Sequence, residues 1–440
     1  MPAHDAFYTL PDSLISFILS KMPIRDAVKS SILSKRWRFL YTQMPELTLA
    51  PHLILGSAST SLNPLFMSRV ETIVSNILLL HTRNLKGFHL HSTWLDSNEW
   101  LHFSRENVCR WVRYVSTSNL QHLTLYDRTT FPECLHVIPP PALFSCSDLV
   151  TLKLHDYVLT SFPINFNGFP HLVTCHLRYV QMTDESLVSL ISLCPCLQNL
   201  QIVGYVRLRN AVIFSPTIEH LSMGWVKSLS VNCPKLRTLS GEWIEDLSVN
   251  GVRFYELCYD AFHLQMDCGG TPSELKISCS PGLKGNFGHI LGVVSASRFL
   301  HIVGNFQSLK KLVIYLGNPF KREADMGAPL LDLFRRLPNL QTLFMLGFFV
   351  QELARDHIPV CLTSPHVNLK KIRVQIREFD YKEVAVISCL LQSVPSLEAL
   401  EIKLPHEYDE SQCSKFFKDI AYLRRASLLA RIIVLDKCPK

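Results

Sequence analysis

Residues 218–249 read IEHLSMGWVKSLSVNCPKLRTLSGEWIEDLSV, from Ile218 to Val249. One six-residue template starts four times in this stretch: apolar, two variable, apolar, one variable, apolar. Its copies begin at Ile218, Val226, Leu236 and Ile244, so alternate copies are 18 residues apart. Apolar residues at every second position predict strands with one buried face. A template that returns at a fixed period predicts stacked coils, each adding a strand to its neighbour. Eighteen residues leave little room for a helix between strands, so extended segments are expected on both sides of each coil here.

The same template recurs on either side. It appears as LQHLTL at Leu120, LVTLKL at Leu149, LVTCHL at Leu172 and LQNLQI at Leu197. Later come LKKLVI at Leu309, LQTLFM at Leu340, LKKIRV at Leu369 and LEALEI at Leu397. These spacings of 21 to 31 residues are those of leucine-rich repeats. The expected fold is therefore α/β: an irregular leucine-rich-repeat solenoid with a curved parallel sheet. Helices are expected on its convex side where room allows, as in DESLVSLISLC (Asp184 to Cys194). Cys194-Pro195, Cys233-Pro234 and Leu337-Pro338 each mark the turn into a strand. Residues 251–308 carry the template faintly, which predicts a distorted coil or loop. Pro139 to Pro141 and Gly317 to Pro329 read as surface loops.

Composition sets bounds on function. Of 440 residues, 48% are hydrophobic and 18% charged, which is a folding composition. A net charge of +7 is mild at this length and does not demand nucleic acid. The fourteen cysteines follow neither paired metal-ligand spacing nor a bridge pattern, and no secretory signal is read at the start. They are expected to be small buried hydrophobes. Ser186 to Val206 is uncharged for 21 residues up to and including Val206, yet Pro195 interrupts it, so a helix and then a strand are expected rather than a membrane span.

The chain opens differently. LPDSLISFILSKMPIRDAVKSSILSKRWRFL (Leu10 to Leu40) carries three short helical patterns. Asp12 is placed to cap the first; Met22-Pro23 ends it; a second is expected from near Asp26, and a third capped by Ser34. Such helices expose more apolar surface than they cover among themselves, which signals a partner. In its Leu-Pro-Asp opening and Ser-x-Leu-Ser-Lys-Arg-Trp-Arg close, this stretch resembles the F-box of plant F-box proteins, although "DAFYT" replaces the family's usual polar lead. The resemblance implies docking on a Skp-type adaptor, and through it on cullin and RING subunits. By position it assigns Leu10, Pro11, Leu14, Ile15, Ile18, Val28, Ile32, Leu33 and Trp37 to the adaptor-binding or packing set. Cys361 to Ile402 is similar to the FBD motif that ends many such chains, with "REFDYKE" where the family has a Gly-rich link. The expected layout is an F-box over 1–50, leucine-rich repeats over 51–330, and last repeats with an FBD-like motif and a helical cap over 331–440.

Between the template leucines, variable side chains line the opposite face of the sheet. Tyr126, Lys153, His155, His176, Arg178, Lys311, Tyr315, Lys371 and Arg373 are the expected substrate-facing residues. With Gln201, Glu242, Phe344, Glu401 and Lys403 they hold six Lys or Arg against two Glu, a balance suited to an acidic or phosphorylated protein substrate. No catalytic residue, metal site or cofactor is expected: His89-Leu-His91 lacks a third ligand, and no nucleophile or phosphate-loop motif occurs. The reading that follows is a non-enzymatic substrate-recognition subunit of an SCF-type ubiquitin ligase, in nucleus and/or cytoplasm, with no membrane or nucleic-acid partner. A hormone-type small-molecule co-receptor, or an adaptor-binding scaffold without a degradation target, fits the same architecture.

Overall fold

The structure is a computed structural model. It describes residues 10–55, 64–82, 85–94, 100–101, 103–126, 137–204, 208–250, 252–254, 261–266, 274–280, 308–316, 337–356, 367–405 and 408–435. The chain divides into two compact units, Met1–Leu208 and Arg209–Lys440.

The first unit opens with α1 (Asp12–Ser20) and α2 (Ile24–Lys29), then short 3-10 turns at Ser30–Ile32 and Trp37–Gln43. Prolines set both helix starts. The Pro11 carbonyl accepts from the N–H groups of Leu14 and Ile15, and the Pro23 carbonyl from those of Asp26 and Ala27. A proline at a helix entry forfeits no needed donor. The expected start near Asp26 therefore moves to Ile24, and the capping place expected of Asp12 belongs to Pro11. Asp12 instead takes the Arg36 guanidinium, with Nε to Oδ1 at 2.8 Å. The third helix is not an α-helix. The Ser30 and Thr42 hydroxyls donate to the carbonyls of Ala27 and Phe39, each at 2.6 Å, and such local bonds favour tight turns over a continued ladder.

Strand β1 (Glu46–Leu49) follows at once, then α3 (Pro51–Leu55), α4 (Pro64–Leu80) and β2 (Gly87–His91). A two-stranded antiparallel pair, β3 (Thr93–Trp94) with β4 (Trp100–Leu101), precedes α5 (Arg105–Val115). Next come β5 (His122–Tyr126), β6 (Thr151–His155), β7 (Thr174–Arg178), α6 (Asp184–Ser192) and β8 (Asn199–Val203). β1, β2, β5, β6, β7 and β8 pair in that order, all parallel. The uncharged stretch after Ser186 is thus a helix and a strand, as its interrupting proline requires. No helix among the described residues is long and apolar enough to cross a membrane.

The second unit holds β9 (Asn210–Phe214), β10 (His220–Asn232), β11 (Thr238–Val249), β12 (Val252–Phe254), β13 (Ala261–Met266), β14 (Glu274–Ser280), β15 (Lys311–Leu316) and β16 (Thr342–Gly347). It continues with α7 (Phe349–Asp356), β17 (Lys371–Gln375), α8 (Tyr381–Ser393), β18 (Ala399–Lys403), α9 (Glu410–Ala421) and β19 (Arg431–Leu435). β10 and β11 pair in parallel with His220 opposite Thr238 and Leu229 opposite Leu247, the 18-residue offset read from the sequence. Each long strand holds two template copies. The faint segment after residue 251 proves antiparallel: β11 pairs β13, and β13 pairs β14, before parallel pairing resumes from β14 to β19. Residues 281–307 and 317–336, including the loop expected after Gly317, lie outside the described residues.

The turn into a strand is one device used repeatedly. The carbonyls of Phe169, Cys194, Cys233, Leu337 and Val394 accept from the N–H groups of Leu172, Leu197, Leu236, Leu340 and Leu397, three residues on. A proline follows the first residue each time, where its fixed φ suits a β-turn. The accepting residue and the leucine are both buried at every site. Buried leucines at successive template positions, such as Leu123, Leu152 and Leu200, then form continuous core rows.

Candidate functional site

The N-terminal module sorts its apolar residues into two sets. Ile15, Leu19, Ile24, Ala27 and Leu40 are buried, together with Met44, Leu47 and Leu49 at the first strand. Leu14, Phe17, Ile18, Met22, Ile32, Leu33 and Phe39 are exposed. Of the nine residues assigned by resemblance, Ile15 is core, Leu10, Val28 and Trp37 are half-buried, and Pro11, Leu14, Ile18, Ile32 and Leu33 face solvent. Phe17, Met22 and Phe39 were not singled out from the sequence; for Phe17 the available signal was its place on α1 opposite Ile15 and Leu19, while Met22 and Phe39 lie in turns with no α-helical period to read. The module is bound tightly to the first coil. Lys21 Nζ reaches Glu46 Oε2 at 2.8 Å, the Thr82 N–H donates to the Thr42 carbonyl at 3.0 Å, and His81 Nε2 lies 2.8 Å from the Met44 carbonyl.

On the first unit's sheet, the residues alternating with the core leucines form rows across the strands. One row is His89, Thr124, Lys153, His176 and Gln201; the next is His91, Tyr126, His155, Arg178 and Val203. Lys153 and Arg178 are exposed, while Tyr126 and His176 are half-buried. His155 is only 3% exposed, which corrects the expectation that it faces a substrate. The Tyr126 ring covers it at 4.0 Å between centroids and the Tyr179 ring meets it edge-on at 5.2 Å. Its Nδ1 lies 3.1 Å from Asp156 Oδ2, near enough for an ion pair but not aligned for a hydrogen bond.

Burial lowers three imidazoles of this face, His89, His91 and His176. His89 is brought down to about 4 by burial and then by its neighbour His91, and its Nδ1 lies 2.9 Å from Thr124 Oγ1. Burial followed by Lys153 lowers His176. No group of three His, Cys, Asp or Glu side chains suited to a metal occurs among the described residues.

The second unit's basic residues are differently placed. Lys311 is half-buried and Tyr315 exposed on β15. Glu401, nearly buried, takes Lys371 Nζ at 2.5 Å and Arg373 Nε at 2.6 Å. Burial alone raises the Glu401 carboxyl, but these two bonds outweigh it and hold the group below its ordinary value. Arg373 also stacks over Phe344 at 4.4 Å. Lys371 and Arg373 thus serve the sheet itself, a pairing visible once LKKIRV is laid over LEALEI.

The FBD-like region explains its missing glycines. Glu383 is 1% exposed, and its carboxylate accepts from the backbone N–H groups of Arg377, Glu378 and Phe379 at 2.9, 3.2 and 2.9 Å. Phe379 adopts φ +55, a conformation usually left to glycine. Its ring is held against Phe416 of α9 at 5.3 Å and Tyr408 at 5.9 Å. A carboxylate and two aromatic contacts fix here what a flexible link leaves free.

Residues 7–40 match the F-box domain family, and residues 108–243 match the family described as the leucine-rich repeats of FBD-associated F-box protein At5g56370. The chain carries an F-box followed by leucine-rich repeats of the FBD-associated type. Similar proteins occur in Arabidopsis thaliana. FBD-associated F-box protein At5g22720 is 32% identical over 236 residues, covering 52% of this chain and 46% of that protein. F-box/FBD/LRR-repeat protein At1g13570 is 27% identical over 237 residues, 53% and 52% of the two chains. In both matches the chain spans about half the length of the curated relative. F-box/FBD/LRR-repeat protein At2g26030 is 23% identical over 469 residues, 98% and 99%. Among solved structures, a leucine-rich-repeat protein of Leptospira interrogans aligns with a TM-score of 0.37 at 14% identity, covering 90% of this chain and 91% of that one.

Proposed function

We propose that this protein is a substrate receptor of an SCF-type ubiquitin ligase. Its F-box docks on a Skp-type adaptor, joined in turn to cullin and RING subunits, and its repeats capture a target protein. The observation that carries the reading is the exposed apolar set of the F-box, with Ile32 85% exposed and Leu33 68%. Side chains of this size left in water within one small module mark a protein contact. The receptor performs no chemistry itself; holding target and ubiquitin carrier in one assembly raises their effective concentration.

The test is affinity purification of the full chain from plant cells, intact and with Ile32→Ala and Leu33→Ala together. Adaptor and cullin recovered with the intact chain and lost from the variant, while other partners persist, support the reading. An intact chain that recovers no adaptor refutes it. Substitution is preferable to deletion, because Ile15, Leu19, Leu40 and Met44 share a core with β1.

A further inference from the structure

We infer that the strand face of the first unit seats a phosphorylated side chain of the captured protein on Lys153, His176 and Arg178; this rests on the receptor reading and names its substrate class. The five strands β2, β5, β6, β7 and β8 contain no Asp or Glu at all. Among the described residues, Glu46 on β1 binds Lys21, and Asp156, just past β6, has its Oδ2 3.1 Å from His155 Nδ1. Lys153 and Arg178 therefore stand on a face with no anion of its own strands to neutralise them.

Register makes the two cations neighbours. Lys153 is opposite His176, and His155 is opposite Arg178, so Lys153 and Arg178 sit diagonally on adjacent strands. Strand spacing and rise place their backbone positions about 8 Å apart, a gap that two long side chains close around one tetrahedral anion. His176, between them on the same face, adds an imidazole, and its ring joins the titratable neighbours Lys153, His155 and Arg178.

The arginine is held ready. Its guanidinium lies 5.7 Å from the centre of the Tyr179 ring. Tyr179 has φ +53, and Gly204 on the next coil lies so close that a Cβ there meets Tyr179 Cδ1 at 2.5 Å. A backbone packed this closely restricts the ring, and through it the arginine, before any ligand arrives. Two positive charges diagonal to each other on one face match the charge of a phosphate monoester, near −2 at neutral pH. A segment of separate carboxylates calls for cations spread along the strands, and the face lacks them. In the second unit Lys371 and Arg373 stand two residues apart on one strand and are already bonded to Glu401 of the next.

The experiment measures fluorescence anisotropy of the purified full chain with three labelled peptide pools of degenerate flanks, centred on phosphoserine, serine or glutamate. The phosphoserine pool is expected to bind at least tenfold tighter than either other pool. Lys153→Gln and Arg178→Gln are each expected to weaken it about tenfold, the scale of one hydrogen bond to a charged group. Lys415→Gln with Lys418→Gln, exposed cations on α9, serve as the charge-matched control and leave binding unchanged. Circular dichroism confirms that the variants fold. Equal binding of the phosphoserine and glutamate pools, full binding by the Lys153/Arg178 double variant, or an equal loss in the α9 control each overturns the proposal. Adaptor docking is measured separately, so failure of one reading leaves the other standing or falling by its own assay.

Discussion

Replacing Ile32 and Leu33 together by alanine tests the F-box surface most directly. Because both side chains already stand in water, the substitutions remove no core contact, and folding stability is expected to move by less than about 0.5 kcal/mol. Docking is another matter. Each change deletes about three methylene equivalents, worth about 0.8 kcal/mol apiece when buried. Scaled by the 85% and 68% now exposed, the loss is about 2 kcal/mol at Ile32 and about 1.6 kcal/mol at Leu33 if the adaptor covers both fully. Together that is a weakening of a few hundred-fold in Kd. The assay is biolayer interferometry of immobilised Skp-type adaptor against the intact chain and the double variant, with thermal melts of both. Ile15→Ala is the contrasting variant: fully buried, it is expected to cost about 2–5 kcal/mol of stability. A double variant that melts normally and binds adaptor within threefold of the intact chain refutes the assignment of Ile32 and Leu33 to the interface.

Three further outcomes are expected. Glu383→Ala leaves three backbone N–H groups at Arg377, Glu378 and Phe379 without their acceptor; at about 1 kcal/mol or more each, stability falls by about 3 kcal/mol, read as a lower melting temperature. His89, brought to about 4 in the folded chain from an ordinary 6.5, binds a proton more readily when unfolded. Stability is therefore lost as pH drops from about 6.5 toward 4, and His89→Gln flattens that part of a melting-temperature profile. Burial pushes the Cys146 and Cys194 thiols up to about 12 and Cys233 to about 11, so these stay unreactive toward a thiol reagent at pH 8 until the chain is denatured, while exposed Cys196 reacts at once.

Periodicity carried most of the fold into view. The template leucines mark strands from β5 to β18 because a parallel coil needs the same apolar positions each time, and the 18-residue offset became the register of β10 on β11. Where the template faded, the chain changed its pairing direction, which no repeat period encodes. The site was legible by face but not by partner. Which cations stay exposed depends on what lies one strand away, so Arg373 meets Glu401 and His155 disappears beneath Tyr126. In the F-box the sequence pattern mixed core and surface apolar residues; Ile15 and Ile18 are three residues apart and so only about 60° from the same side of α1, and packing alone shows which is covered.

The join between F-box and first coil has a consequence for building chimeras. β1 follows the last 3-10 turn after two residues, pairs with β2 from Glu46 opposite Gly87, and is tied back by Lys21. There is no linker in which to cut. A graft that moves this F-box onto another repeat array needs β1 together with α4 and β2, or it leaves an open sheet edge and a stripped core. Within the first unit, anything held by the opening helices keeps a fixed bearing on the coils that follow. Lengthening the joint with flexible residues would turn a strut into a tether, changing which target lysines come within range without altering either binding surface.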